Sequence, residues 1–379
     1  MNLWLSRFRN FGLLAVLLAG LIGCQFGGNT GQLSMSLTDA GTDLYQAVYV
    51  TVKEIDVHRA DDAAESWTAV ATPNRTYNLL ALRNGVREQL GLVNLDAGHY
   101  TQMRFIIGEE RDSGLNILSQ AHPFANYVID DSGQSQELKV ASGMQTGIKI
   151  IHGFDINENQ TTELILDFDA LKSVVVAGRS GKFLLKPTIK VLSETLASII
   201  NGSVTQASDQ SALEGAVVMA QVFDAAATDI KDQVIVQAST LSDEAGSYTL
   251  FVMPGAYNLV AGKTGFAPSA VAINAEADQT LTQDFSLAVA DSGTVEGTAT
   301  IVGGASETFV TISFRQTVSL GGSDVAIEVL SVNVANGETY SVSLPVGLYS
   351  AVSSTAGKPT QQAEITVVKD ETLTLDVSF

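Results

Sequence analysis

The side chains best suited to hold a metal ion are the four histidines, which all lie in the first half of the chain. They are His58, His99, His122 and His152. Acids such as Asp39 or Asp43 could complete a zinc-type ligand set with them. The histidines have no ligand-like spacing and fall on different predicted strands and loops. Solvated or singly hydrogen-bonded histidines are therefore favoured, and no metal site is predicted.

Two acidic patterns could also carry chemistry. Asp167 and Asp169 flank Phe168, and on a strand their carboxylates would point to one face, where they could share a proton or a cation. The segment 155–163 has oxygen-bearing side chains at alternate positions, but it lacks the glycine and the final acid of a calcium loop. We favour a solvated strand face or a turn cap for the aspartate pair, and a hairpin turn for 155–163.

Motifs for phosphate or covalent chemistry are weak. The glycines of the segment 178–182 are too closely spaced for a phosphate-binding loop, and Phe183 stands where that loop requires serine or threonine, so a hairpin turn is predicted there. The sequence contains no Gly-x-Ser-x-Gly nucleophile motif. We therefore predict no catalytic residue, no cofactor and no enzyme activity.

The composition is that of an acidic, folded protein. The 41 Asp and Glu outnumber the 21 Lys and Arg, and the formal net charge of −20 disfavours nucleic acid as a partner. Hydrophobic residues make up 45% of the chain, which excludes wholesale disorder. The 379 residues exceed one typical core, so two or three domains are expected.

Strands must position these side chains, because apolar and polar residues alternate along most of the chain. Leu33, Met35 and Leu37 alternate with polar residues, which predicts a half-buried strand. Similar runs, separated by Gly, Asn and Asp, continue to the C-terminus. The predicted fold class is all-β, with three antiparallel β-sandwich-like domains in tandem. One short helix is predicted within 86–95.

The only cysteine, Cys24, ends a short apolar run near the N-terminus. Two arginines precede residues 11–20, which are too few to span a bilayer, and the run closes with Leu21-Ile22-Gly23-Cys24. This tetrad resembles the lipobox of bacterial lipoproteins, and a plain signal peptide is the less favoured alternative. The resemblance implies cleavage between Gly23 and Cys24 and acylation of Cys24, which gives durable membrane anchoring.

The lipobox resemblance sets the expected location. Residues 1–23 would be the signal peptide and residues 24–31 a flexible tether. Gln25 stands where an aspartate resembles an inner-membrane retention signal, so an outer-membrane lipoprotein is expected, on the periplasmic or the surface face. Membrane lipid would then be a partner through acylated Cys24.

Five short blocks occur in a fixed order after the tether. They are Leu37-Thr-Asp-Ala40 with 45–52, Gly98-His-Tyr-Thr-Gln-Met-Arg104, Ser142-Gly-Met-Gln-Thr-Gly-Ile-Lys149, Asp167-Phe-Asp-Ala170 with Lys172-Ser173, and Leu184-Leu-Lys-Pro187. Together they resemble a bacterial lipoprotein domain catalogued as domain of unknown function 4382. The resemblance implies an envelope-located β domain over 32–193, without an assigned activity.

The C-terminal half carries a pattern that occurs twice. Its first copy contains Gly202-Ser-Val-Thr, Gly246-Ser-Tyr248, Pro254-Gly-Ala-Tyr257 and Gly265-Phe266. These marks resemble the carboxypeptidase regulatory-like domain, a transthyretin-type β-sandwich, here predicted over 194–289. The second copy, predicted over 290–379, repeats the pattern with Gly297-Thr-Ala-Thr and 338–349. It diverges where Gly357-Lys358 replaces Gly265-Phe266.

An apolar-x-x-Gly-x-Tyr element occurs three times, ending at Tyr100, Tyr257 and Tyr349. Glycine permits a tight reversal between strands, and the tyrosine can bury its ring while its hydroxyl reaches a backbone partner. We predict that all three rings are buried and structural.

Taken together, these features predict a lipid-anchored cell-envelope protein that acts as a non-enzymatic structural or interaction module, with an envelope protein or a glycan as partner. A carbohydrate-binding accessory protein is the alternative, although Trp67 is the only tryptophan of the mature chain that could form an aromatic platform. A metal-dependent envelope enzyme built on the histidines is a third and less favoured class. No binding residues are predicted.

Overall fold

The chain forms three β units that follow one another along the sequence. A computed structural model describes residues 29–42, 44–63, 66–140, 147–177, 182–305 and 308–379. In these residues nearly all regular structure is strand, apart from helix α1 (Ala170–Ser173) and 3-10 turns at Leu79–Leu82 and Ile230–Gln233. The predicted all-β class with tandem β-sandwiches is confirmed. The exact domain boundaries stay predictions.

The first unit packs a small sheet against a larger one. Its strands are β1 (Thr30–Asp39), β2 (Ala47–Arg59), β3 (Thr68–Ala71), β4 (Arg75–Asn78), β5 (Glu88–Asp96), β6 (Gly98–Ile107), β7 (Tyr127–Ile129), β8 (Ser135–Val140), β9 (Ile148–Ile156), β10 (Thr161–Phe168), β11 (Val174–Ala177), β12 (Lys182–Leu185) and β13 (Ile189–Ser193). The small sheet has the order β13-β10-β1-β5, and the larger one β11-β12-β8-β7-β2-β6-β9, with β3 and β4 also paired to β2. Leu33, Met35 and Leu37 of β1 are buried in the core, as their alternation predicted.

The helix predicted within 86–95 is wrong, because this segment forms strand β5. β5 pairs with β1 in the antiparallel sense, and it buries Leu90 and Leu95. A helix of this length is marginal on its own, whereas the open edge of β1 offers backbone hydrogen bonds along the whole segment. Tertiary pairing therefore decides the conformation.

The second and third units have the same topology. The second unit contains β14 (Ser198–Gln206), β15 (Val217–Phe223), β16 (Val234–Leu241), β17 (Ser247–Val252), β18 (Gly255–Gly262), β19 (Ser269–Ala275), β20 (Thr280–Thr282) and β21 (Phe285–Leu287). The third contains β22 (Ser292–Thr300), β23 (Phe309–Leu320), β24 (Ser323–Ala335), β25 (Glu338–Pro345), β26 (Gly347–Ser354), β27 (Gln361–Val367), β28 (Thr372–Thr374) and β29 (Val377–Ser378). The sheets β17-β14-β20 and β16-β15-β18-β19 correspond to β25-β22-β28 and β24-β23-β26-β27.

A glycine and a tyrosine fix the same contact in both repeats. The hydroxyl of Tyr248 donates to the carbonyl of Gln283 at 2.5 Å, beside Gly202. A Cβ at Gly202 would lie 1.8 Å from that carbonyl oxygen, so only glycine lets the two backbones approach. Tyr340 makes the equivalent bond to Leu375 at 2.7 Å. The repeat is therefore conserved in its packing as well as in its strand order.

The three tyrosines of the glycine–tyrosine element are buried, as predicted. Each hydroxyl donates to the backbone carbonyl four residues earlier in the chain. The bonds are Tyr100 to Asp96 at 3.0 Å, Tyr257 to Met253 at 2.8 Å, and Tyr349 to Pro345 at 2.9 Å. The hydroxyl thus ties the strand to the end of the preceding strand across the tight reversal.

The second and third units pack closely against each other. Met219, Val236 and Val260 of the second unit form one buried apolar cluster with Ile327 of the third. The guanidinium of Arg315 donates to the carbonyls of Ile230 and Lys231 at 2.7 and 2.9 Å. Each buried aliphatic side chain contributes roughly 1.5–3 kcal/mol relative to exposure, so these contacts favour a fixed orientation.

Candidate functional site

A cleft of about 880 Å³ opens where the three units meet. Its walls are largely aliphatic, with Val174 from the first unit, Met219 from the second and Val342 from the third. Lys172 and Glu328 place opposite charges in the same walls. Clefts of this size with a few polar groups are usual ligand sites between domains, so this cleft is the candidate functional site.

Glu328 of β24 carries the buried negative charge of the cleft wall. Its Oε2 accepts a hydrogen bond from Ser313 Oγ at 2.6 Å, and its Oε1 lies 3.6 Å from Lys172 Nζ. Burial alone raises the pKa of this carboxyl, but Lys172 and Ser313 outweigh burial and hold the pKa below its ordinary value. Glu328 is therefore ionised at neutral pH.

Lys172 supplies the matching positive charge from helix α1 of the first unit. Asp169 caps this helix by accepting the backbone N–H of Lys172 at 2.9 Å. Asn333 of β24 donates from Nδ2 to the carbonyl of Lys172 at 2.8 Å. Burial lowers the pKa of the Lys172 ammonium, but Glu328 and Asp169 outweigh it and raise the pKa overall. The charged pair thus connects the first unit to the third.

Three buried carboxyls, Asp39, Asp167 and Asp169, lie next to this pair in the first unit. Burial and the charge of Asp169 raise the pKa of Asp167 to about 7, against the opposing effect of Lys190. Burial also raises the pKa of Asp39 well above its ordinary value, although a hydrogen bond from the Ala170 N–H at 2.9 Å acts in the other direction. Asp39 and Asp167 therefore retain protons at a pH where exposed aspartate is ionised.

The interpretation of Asp167 and Asp169 as a solvated pair on one strand face is wrong. Both side chains are buried, and Asp169 lies beyond the end of β10, where it caps α1. The strand ends there because the chain turns into α1, which packs against β24 of the third unit. The alternative role of turn cap is confirmed for Asp169. The space that Asp39 and Asp167 share with Thr240 is about 10 Å³, the lower limit for one water, so no substrate reaches these acids.

Two further lysines of the first unit reach the other units. Lys190 Nζ donates to the carbonyl of Val236, and Lys186 Nζ donates to Asn333 Oδ1 at 3.1 Å. Burial and the neighbouring Lys172 lower the pKa of Lys190 to about 8. Lysines of the first unit thus reach between the other two units, and their positive charge is partly reduced by burial and by the neighbouring lysine. This arrangement holds the units together, and the cleft wall stays open to a ligand.

The four histidines do not meet in the structure. His58 Nε2 lies 3.2 Å from the Ala63 carbonyl, His99 Nδ1 2.8 Å from an Asp155 oxygen, and His122 Nδ1 2.8 Å from the Tyr127 hydroxyl. Burial lowers the pKa of His152. Among the described residues no group of His, Cys, Asp or Glu is arranged to hold a metal ion. Asp43, named above as a possible co-ligand, lies outside the described residues.

The segment 155–163 is not a hairpin turn. β9 belongs to the larger sheet of the first unit and β10 to the small sheet, so the segment is a corner between sheets. A core has to be closed on both faces, and such corners carry the chain from one face to the other. Asp155 accepts from His99 here. The turn predicted at 178–182 lies mostly outside the described residues, between the antiparallel partners β11 and β12.

Trp67 does not present a free aromatic platform. The guanidinium of Arg104 lies 4.7 Å from the ring centroid and Lys149 Nζ 5.6 Å from it. His58 packs edge-on against the same ring at 5.6 Å. Cations that already occupy the π-face compete with the stacking of a sugar ring. The Trp67 surface therefore offers little support for the carbohydrate-binding alternative.

The residues that would anchor the chain lie outside the described part of the structure. Residues 1–23, with Gly23, and Cys24 belong to this group, as does most of the tether, and their processing stays a prediction. None of the helices in the described residues is long and apolar enough to cross a membrane.

Two family models match the chain. One, described as Domain of unknown function (DUF4382), matches residues 30–187, and the other, described as Carboxypeptidase regulatory-like domain, matches residues 199–288. The first unit thus carries the match to the DUF4382 model, and the second unit carries the match to the carboxypeptidase regulatory-like model. The predicted order of the two domains is confirmed. The third unit lies beyond both matched ranges but repeats the strand order of the carboxypeptidase regulatory-like unit.

Solved structures of other β-rich proteins are similar to this chain at low identity. The Bacillus anthracis TIE protein is 13% identical, over 92% of this chain and 50% of its own, with a TM-score of 0.21. The chain therefore spans about half the length of that protein. A streptococcal ancillary pilin is 10% identical, over 92% of this chain and 98% of its own, with a TM-score of 0.21. TM-scores of this size carry no argument about function. No curated protein matches the chain significantly.

Proposed function

We propose that this chain is an outer-membrane lipoprotein, anchored through acylated Cys24, that acts as a non-enzymatic interaction module. In this role the three β units form one body that presents the interunit cleft to a partner in the cell envelope. Two features support this role: the lipobox-like tetrad at the N-terminus and the direction of β1 in the first unit.

The direction of β1 is the observation that carries this proposal. Thr30 begins the strand a few residues after Cys24, and Asp39 ends it among the buried charges at the three-unit junction. A strand of 10 residues is about 30 Å long. The N-terminal end of β1 and the cleft therefore lie at opposite ends of the first unit. In a chain anchored through Cys24, the cleft would face away from the membrane, towards a partner in the surrounding compartment.

The charge of the chain fits the same role. A net charge of −20 repels the anionic headgroups of a membrane surface, so the units would stand away from the bilayer on their tether. The acyl chains of Cys24 would supply the membrane affinity that the units lack.

The test is fractionation of the cells that make the protein, with the intact chain compared with Cys24→Ala. We expect the intact chain in the membrane fraction and labelled by a fatty-acid analogue, and the variant soluble and unlabelled. Equal membrane association of both chains would contradict the anchor. Protease treatment of intact cells then distinguishes the two membrane faces, because only units on the outer surface are cleaved before lysis.

A further inference from the structure

Equivalent surfaces of the second and third units have different surroundings. Strand β17 of the second unit corresponds to β25 of the third, since both are edge strands that pair with the first strand of their unit. The outward-facing residues Ser247, Thr249 and Phe251 of β17 thus correspond to Thr339, Ser341 and Ser343 of β25.

The surface of β17 is already occupied by a loop of the first unit, residues 83–87. Asn84 Nδ2 donates to the carbonyl of Ser247 at 3.3 Å. Gly85, at a φ of 81°, leaves room for Thr249, since a Cβ there would lie 3.0 Å from Thr249 Cγ2. The guanidinium of Arg87 lies 5.2 Å from the ring of Phe251.

A carboxylate completes this internal contact. Arg87 Nη1 lies 2.6 Å from Glu194 Oε1, so the arginine of the loop is held between an aromatic ring and an acid. The outer face of β17 in the second unit therefore binds a turn that supplies an amide donor, a glycine and an arginine.

The corresponding surface of the third unit is open. Thr339, Ser341 and Ser343 are exposed and line the interunit cleft. Glu296 of β22 lies opposite Ser341 in the register of the sheet, and it is exposed in the same cleft.

The position of Glu296 has a different residue type in the second unit. There Asn201 lies opposite Thr249 and accepts its hydroxyl at 2.9 Å. The third unit thus replaces a neutral, hydrogen-bonded amide with a carboxylate that has no ion-pair partner among the described residues.

We propose that the outer face of β25, together with Glu296, is a docking surface for a basic loop of a second envelope protein, an inference that rests on the proposed function. The bound loop lies along β25 as residues 83–87 lie along β17. Its arginine or lysine contacts Glu296, opposite Ser341, and not the Ser343 position that corresponds to Phe251. The net charge of −20 attracts such a partner from solution, and Glu296 then fixes its register.

A photo-activated cross-linker at Ser343 tests the surface in the full-length chain, in the cells that make it. Ser343 is exposed, so the cross-linker fits without repacking the core. We expect one protein adduct, in which the cross-linked peptide of the partner contains arginine or lysine. Glu296→Lys should reduce the yield of this adduct by about tenfold, because it places like charges opposite each other. Glu158→Lys, the same change at an exposed site near the other end of β1, should leave the yield unchanged.

Other outcomes overturn the proposed surface. An adduct at twice the mass of the chain would indicate a second copy, and an adduct with lipid or glycan would indicate another ligand class. Absence of an adduct, or a yield that Glu296→Lys does not change, would also contradict it. Fractionation of the same cells separates the two proposals: a chain that stays in the membrane fraction but forms no such adduct retains its anchor and loses only this surface.

Discussion

The side-chain amide of Gln221 forms both of its backbone hydrogen bonds with a single residue, Glu328. Gln221 Oε1 accepts the N–H of Glu328 at 2.8 Å, and Gln221 Nε2 donates to the carbonyl of Glu328 at 2.7 Å. The amide thus acts as one residue of a neighbouring strand at the edge of β24. Unpaired strand edges invite pairing with other chains, so this contact both joins the units and closes part of an exposed edge.

Gln221→Ala should weaken the joint between the second and third units. The change leaves the N–H and carbonyl of Glu328 buried without partners, which costs about 2–4 kcal/mol in the free energy of unfolding. Urea denaturation measures this loss. Gln362→Ala, which removes an exposed amide from β27, is the matched control and should change stability by less than about 0.5 kcal/mol. Equal stability of the two variants would mean that Gln221 does not join the units.

Stability should fall as the pH rises from 5 to 7. The folded state raises the pKa of Asp167 from 3.8 to about 7 by burial and by the charge of Asp169, so between these values the folded chain binds a proton that the unfolded chain has lost. Stability from such a group is complete below the unfolded pKa and is lost as the pH rises through the folded pKa. The contribution of Asp167 to the free energy of unfolding should drop by about 1.4 kcal/mol for each pH unit in this window, and the lowered pKa values of His122 and His152 act in the opposite direction. Urea denaturation at pH 5, 6 and 7 measures the slope.

Asp167→Asn is the control for this pH dependence. The amide keeps the shape of the protonated carboxyl but does not titrate, so the slope between pH 5 and 7 should become smaller. Part of the slope should remain, because burial also raises the pKa of Asp39. Identical slopes for the variant and the natural chain would show that Asp167 is not the group that titrates.

Gly202→Ala and Gly297→Ala should destabilise their units. The added Cβ would lie 1.8 Å from the Gln283 oxygen in the first variant and 2.0 Å from the Leu375 oxygen in the second, so the strands must separate. Overpacking of this kind costs about 1–3 kcal/mol or more. Gly262→Ala has no atom within 4 Å of the new Cβ and is the control. In thermal unfolding, the melting temperature of Gly262→Ala should therefore be well above those of the other two variants.

Tyr349→Phe and Tyr257→Phe should cost similar amounts of stability, about 1 kcal/mol each, because each removes one hydroxyl bond to a carbonyl four residues earlier. Calorimetry of the two single variants measures this. A neutral result for both would mean that ring burial alone, without the hydroxyl, supports the reversal between the strands.

Local patterns predicted the strands and the tyrosine contacts well. Alternation at Leu33, Met35 and Leu37 depends only on the two faces of a strand, and the element that ends at Tyr349 makes its contact within four residues. The helix prediction for 86–95 failed because a strand partner more than 50 positions away in the chain decides the conformation of this segment. Strand pairing over such distances cannot be recognised from the local spacing of apolar residues.

The junction of the units was not predictable for the same reason. Lys172 and Glu328 are separated by more than 150 positions, and neither belongs to a motif with a fixed spacing. A charge inside the otherwise apolar run 325–330 was the available signal at Glu328, which stands between Ile327 and Val329. Because buried charges are rarely left unpaired, this signal implies a partner but does not identify it.

The position of β1 also determines how the chain would bear a mechanical load. Its register runs from Gln32 to Asp39 beside β10, and from Thr30 to Leu37 beside β5. A pull between the anchor and a bound partner would act along the axis of this central strand. The lateral hydrogen bonds on both sides would then be sheared together, whereas a pull across the strand would open them one after another. If the chain is anchored through Cys24 as proposed, the first unit would be loaded along this strand, the direction that shears both ladders at once.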